Sequence, residues 1–241
     1  MRAVGSILMP QARLTLWKAL GLLLAAGGAE ALLFFRALEG WAGSGAPTLE
    51  ELLGQSRLSL VFALGLLALC ALLVLPGVER GSRTGYTLRR LSLEERKITL
   101  LWGGLNALVV LLYWVGQLAV VLLLARRFLH TALPGTVTGQ SLFLACYRSP
   151  YLHGLLPLED WMVLARNLLG CAALGLSAAA LPFHWRHGRR AFSTLPLAAA
   201  AAFAFPAALG RLSIHALQAV VLALVCVLTC YGVWRWHGDE D

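Results

Sequence analysis

One carboxylate in this chain sits where a carboxylate is expensive. Glu30 is the only acid well inside a long apolar run, about 7 Å short of the end of that run at 1.5 Å per residue. Ionisable groups at membrane depth pair with one another or mark a path for ions or substrates. Arg57 and Arg166, each near the mouth of another apolar run, are the residues that could neutralise it, as a structural ion pair near one interface. A second pattern is Asn106, Tyr113 and Gln117. Steps of seven and eleven residues put the three on one helical face, to within about 20°. Such a stripe faces protein or a water-filled path, and interhelical hydrogen bonding alone also explains it. His215, Gln218 and Thr229 share a face in the last apolar run, where His215 reads as a buried imidazole.

Reactive constellations are harder to find. Ser177 and His215 look like the serine–histidine dyad of rhomboid-type intramembrane proteases, but a nucleophile and its base must come within hydrogen-bond reach. Ser177 belongs near one end of its span and His215 near the opposite end of its own, a mismatch of about 15 Å or more. His184 and His187 in His-Trp-Arg-His could share a helix face, yet no acid or cysteine completes a metal site, and basic anchoring beside Trp185 accounts for them. Five cysteines form no CxxC pair, and four of them (Cys70, Cys171, Cys226, Cys230) lie in apolar runs. No catalytic residue, metal or cofactor is expected, and the chain reads as a non-enzyme.

The elements that must position these groups follow from composition. The chain has 241 residues, 59% apolar and only 13% charged. Soluble domains carry roughly 25% charged residues. A transmembrane helix needs about 20 apolar residues, and six such runs can be placed: 14–35, 58–75, 98–124, 161–181, 192–209 and 212–234. The reading is all-α: a polytopic helical bundle and a single integral membrane domain, 1–241. Ala29-Glu30-Ala31 has the small-x-small form of a signal cleavage site, but the apolar run continues to Phe35 and reaches spanning length. Met1 to Gln11 is expected as an interfacial helix or a free tail.

Between the spans lie cytoplasmic loops at 76–97 and 182–191 and a long external loop at 125–160. In the external loop 36–57, Thr48 is placed to cap a short helix. Pro134, Pro150 and Pro157 break the loop 125–160, with an interfacial or re-entrant helix expected around Gln140 to Tyr147. With both termini inside, thirteen of the twenty Lys and Arg fall on the cytoplasmic side, as the positive-inside bias requires. The basic residues therefore point to topology and anionic lipid headgroups, and no nucleic-acid partner is expected. In the fourth span Asn167, Cys171, Gly175 and Ala179 recur at steps of four, a small-residue seam that lets helices approach closely.

The loop after the second span, Leu-Pro-Gly-Val-Glu-Arg from Leu75 onward, is the longest basic soluble stretch. It carries Glu79-Arg80, Gly85-Tyr86-Thr87-Leu88, Arg89, Arg90, Leu91, Glu94, Arg96 and Lys97, and Ser92 followed by Glu94 and Glu95 predicts a helix start that leads into the third span. This loop, with the six-span topology, resembles the permease subunits of type-2 ABC exporters. The departures are Tyr86 between the glycine and the threonine, and no proline after Leu91. The resemblance implies a short coupling helix, Leu88 to Arg96, docking on a separate ATP-binding subunit, and a homodimer or pairing with a second permease. No Walker-type phosphate loop occurs in the chain, so ATP chemistry would belong to that partner. Glu79, Thr87, Leu88, Arg89, Arg90, Leu91, Glu94, Arg96 and Lys97 would then be coupling residues. Glu30, Asn106, Tyr113, Gln117 and His215 would form a polar path through the cell membrane. The alternative is a non-transporting scaffold or accessory protein whose loops bind partners.

Overall fold

The computed structural model describes residues 2–40, 48–77, 94–131, 139–158, 160–188, 194–205 and 212–235. Among them are nine α-helices and no strand: α1 (Arg2–Gly40), α2 (Leu49–Gln55), α3 (Leu58–Val74), α4 (Glu95–Thr131), α5 (Gly139–Arg148), α6 (Pro150–Leu155), α7 (Trp161–Arg186), α8 (Thr194–Ala204) and α9 (Leu212–Trp234). A 3-10 turn, Leu75–Gly77, ends α3. Five helices are long and apolar enough to cross a membrane, over Thr15–Gly40, Leu58–Gly77, Glu95–His130, Trp161–Arg186 and Leu212–Trp234. The predicted span 192–209 contains α8, a helix of 11 residues. Residues 189–193 and 206–211 lie outside the described ones.

Several boundaries move for local reasons. The N-terminal segment and the first span are one continuous helix from Arg2 through Pro10 to Gly40. The fourth span does not stop at Leu181: α7 runs through Pro182 to Arg186. The proline forfeits one hydrogen bond near a helix end, and its ring seats against Gly77, where a Cβ would collide with it. Pro150 marks a break as expected, since α5 ends at Arg148, and it also begins α6. Ser149 accepts the Leu152 N–H, and a proline at the first helical position gives up only an N–H that has no helical partner.

The short helix expected after Thr48 is α2, closed by a reciprocal capping box. Thr48 Oγ1 accepts the Glu51 N–H at 3.3 Å, and Glu51 Oε2 accepts the Thr48 N–H at 3.1 Å. Thr48→Ala should cost about 1 kcal/mol, seen as faster amide hydrogen exchange over Leu49–Gln55 with the spans unaffected.

Helix α7 is the most buried of the five long helices and α9 the least. α4 and α7 pack antiparallel through small residues: Gly103 lies against Leu176, Gly175 against the Ala107 backbone, and Arg186 pairs with Glu95 at 3.1 Å. The seam seen in the sequence is buried throughout, at Asn167, Cys171, Gly175 and Ala179. Helix α9 runs parallel to α7, with His215 beside Arg166 at one end and Gly232 beside His184 at the other. Helix α8 runs against α7, from the Thr194 hydroxyl on the Ser177 carbonyl at 3.0 Å to Phe205 beside Gly170. Leu23 lies on Gly116 and Gly27 on Val120, so α1 is parallel to α4. Gly77 at the end of α3 meets Pro182 near the end of α7, which sets those two parallel. Helices α1, α4 and α8 therefore run one way, and α3, α7 and α9 the other. The outer face of α9, with Leu217, Val220, Leu224, Val227 and Leu228 exposed, suits lipid and not water.

Candidate functional site

Two buried polar clusters occupy the half of the bundle where α7 begins. The first forms around Glu30, which α1 carries to a position with no exposure at all. The Tyr151 hydroxyl donates to Glu30 Oε1 at 3.4 Å. The Gln117 amide, in the orientation that satisfies both sides, donates to Glu30 Oε2 at 2.8 Å. No arginine pairs with it among the described residues; the expected partners Arg57 and Arg166 lie elsewhere, Arg57 exposed at the start of α3 and Arg166 in the second cluster. The carboxyl is thus held by a phenol and a carboxamide. Burial, and next the Glu30 carboxyl, raise the Tyr151 phenol well above its ordinary value, so it stays a proton donor in this contact.

Aromatic rings wall this cluster off. Phe62 packs on Tyr113, Tyr151 and Phe205 with centroids 5.7, 6.3 and 5.7 Å away, and Trp114 meets Phe205 edge-on at 6.0 Å. The Tyr113 hydroxyl donates to the Phe62 carbonyl at 3.3 Å, in a notch that exists only because Gly65 has no side chain. Asn106 is buried two turns before Tyr113 on α4, and among the described residues its Oδ1 has no hydrogen-bond partner. The predicted stripe therefore faces protein along its whole length, with Gln117 alone reaching Glu30.

The second cluster is built on Arg166, one turn into α7 and only 2% exposed. Its Nε and one terminal nitrogen donate to Asn167 Oδ1 at 3.1 and 2.8 Å. The other terminal nitrogen contacts His215 Nδ1 at 3.2 Å and Gln218 Oε1 at 3.4 Å. Asn167 Nδ2 donates to the Gly154 carbonyl at 2.8 Å. Short α6, buried from Tyr151 to Leu155, consequently touches both clusters, Tyr151 on Glu30 and Gly154 on Asn167. Sequence reading missed α6 and Tyr151. Ser149-Pro150, a cap followed by a proline at the first helical position, was the signal that could have found them.

At the opposite end, the residues expected to couple to a partner subunit divide. Glu79, Thr87, Leu88, Arg89, Arg90 and Leu91 lie outside the described residues. Glu94 pairs with Arg96 at 3.7 Å and with Lys97 at 3.6 Å. The Arg96 guanidinium donates to the Trp234 carbonyl at 3.0 Å and lies 5.3 Å from the centre of its ring. Glu95 faces Arg186 and His187. The first turn of α4 thus ties together the last turns of α7 and α9.

Ser177 and His215 are not brought together. Ser177 is level with Thr194, whereas His215 is level with Arg166, eleven residues along α7 or about 16 Å. No group of three potential metal ligands occurs among the described residues. No family model matches the chain, and no curated protein or solved structure matches it.

Proposed function

We propose that this chain is the membrane-spanning subunit of an ABC-type exporter, moved by a separate ATP-binding subunit that docks on the cytoplasmic loop 76–97. One observation carries the reading: α4 is a single helix of 37 residues, about 55 Å long, whose first turn closes that loop and whose later turns hold Tyr113 and Gln117. A rigid rod can carry displacement from a docking loop to the Glu30 cluster without a hinge. Six crossings with both chain termini cytoplasmic belong to the same proposal. They are supported by the parallel course of α7 and α9 with α8 running opposite to both, the direction that a returning crossing would take. A homodimer or a second permease would complete the path. Glu95–Arg186 and Arg96–Trp234 would pass the motion of α4 to α7 and α9.

The test is a detergent co-purification from the native host, comparing the intact protein with a variant in which Arg89, Arg90, Arg96 and Lys97 are alanine. An ATPase retained by the first and lost by a variant of normal size-exclusion profile is the expected result. A well-expressed protein that retains no ATPase in either form would leave the second reading, a non-transporting membrane scaffold. That reading is favoured by one specific feature, the burial of Asn106, Tyr113 and Gln117 within a single chain.

A further inference from the structure

A cavity of about 260 Å³ opens between α7, α8 and α9, with Arg166, Asn167 and Gln218 at one end. Below them its walls are apolar, formed by Leu197, Ala201, Phe205, Leu217 and Leu222. Two features of Arg166 matter here. Its guanidinium is buried, yet among the described residues its partners Asn167, His215 and Gln218 bring no acid to it. A buried arginine is costly unless an anion meets it, and its planar fork suits the oxygens of a phosphate. Its depth is equally telling. Arg166 lies five residues, about 8 Å, inside Trp161, an exposed aromatic at the start of α7 of the kind that sits at headgroup level.

We propose that the cavity is a binding site for an anionic phospholipid of the leaflet at which α7 begins. The lipid phosphate meets the Arg166 guanidinium, and one acyl chain runs down the apolar wall towards Leu197 and Leu222. The source is the bilayer itself, because the cavity opens sideways beside the apolar outer face of α9, where Leu217 and Val221 stand exposed. Charge complementarity selects the headgroup, since a net-negative lipid neutralises the arginine and a zwitterionic one does so less completely.

Native mass spectrometry of the delipidated full-length protein tests this, with phosphatidylglycerol, phosphatidylcholine and inorganic phosphate as separate probes. The expected result is at least a ten-fold preference for phosphatidylglycerol, lost in Arg166→Gln. Ala200→Trp, which fills the cavity mouth and leaves Arg166 in place, should lose retention of both lipids. If Arg166→Gln does not fold, Ala200→Trp decides alone. Equal retention of the two lipids by the wild type, or an undiminished preference in Ala200→Trp, overturns the proposal. So does inorganic phosphate binding as tightly as the phospholipid, because the acyl chain would then contribute nothing.

Discussion

Gly175→Ala should be among the most damaging single-methyl changes this chain can suffer. A Cβ at position 175 would run into the backbone nitrogen and Cα of Ala107, and no side chain stands there that could rotate away. Helix α7 would have to move off α4 along their whole contact. Overpacking of this kind costs about 1–3 kcal/mol, and more where backbone must shift. Within a bilayer the loss is not offset elsewhere, because helix association there depends on close packing and not on expulsion of water. Gly104→Ala is the matched control. It lies on the same helix pair but meets nothing within 4 Å, and replacing glycine by alanine in a helix interior is worth up to about 1 kcal/mol of stabilisation. Thermal unfolding in detergent, followed by size-exclusion profile, should therefore move down for Gly175→Ala and stay level or rise for Gly104→Ala. Equal midpoints for the two would mean that the α4–α7 contact is looser than these positions indicate.

That seam was legible because membrane helices announce close packing with a four-residue repeat of small side chains, and Asn167, Cys171, Gly175 and Ala179 carry it. The Thr48 cap was legible for a similar reason, since its signal lies within four residues. So was the polar stripe on α4, whose period is that of the helix itself. What the sequence did not disclose is who faces whom across the bundle. Glu30 meets Tyr151, 121 positions away, through a six-residue helix lodged in a loop that reads as proline-broken. Arg166 read as a possible partner for Glu30 at the mouth of its run, because nothing in its neighbours reveals that α9 and α8 close over it. Local periodicity fixes which face of a helix is polar. Which acid and which base share a cluster depends on loop returns such as α6, and those are set by packing over the whole fold.

The same distinction governs Glu30, where stability and function can be separated by a double-mutant cycle. Gln117→Leu deletes the 2.8 Å donor and leaves a fully buried carboxyl with Tyr151 alone. An unsatisfied buried group costs about 1–3 kcal/mol, and more when it carries charge. Glu30→Leu makes the opposite error, stranding the Gln117 amide and the Tyr151 hydroxyl. Replacing both members by leucine removes that polar pair together but still strands the Tyr151 hydroxyl, so the cost of one unsatisfied buried group, about 1–3 kcal/mol, remains. The double variant should accordingly unfold below the wild-type midpoint yet lose less than the two single variants together, with a coupling energy of about 0.5–3 kcal/mol. Where the proposed ATP-binding subunit co-purifies, the double variant's behaviour in that complex separates a structural pair from a working one. A folded double variant that still binds the ATPase but no longer shows transport-coupled ATP hydrolysis would make Glu30 part of the moving path at the far end of α4. A double variant with full activity would confine Glu30 and Gln117 to holding α1 against α4, and the displacement carried by α4 would have to act on another part of the bundle.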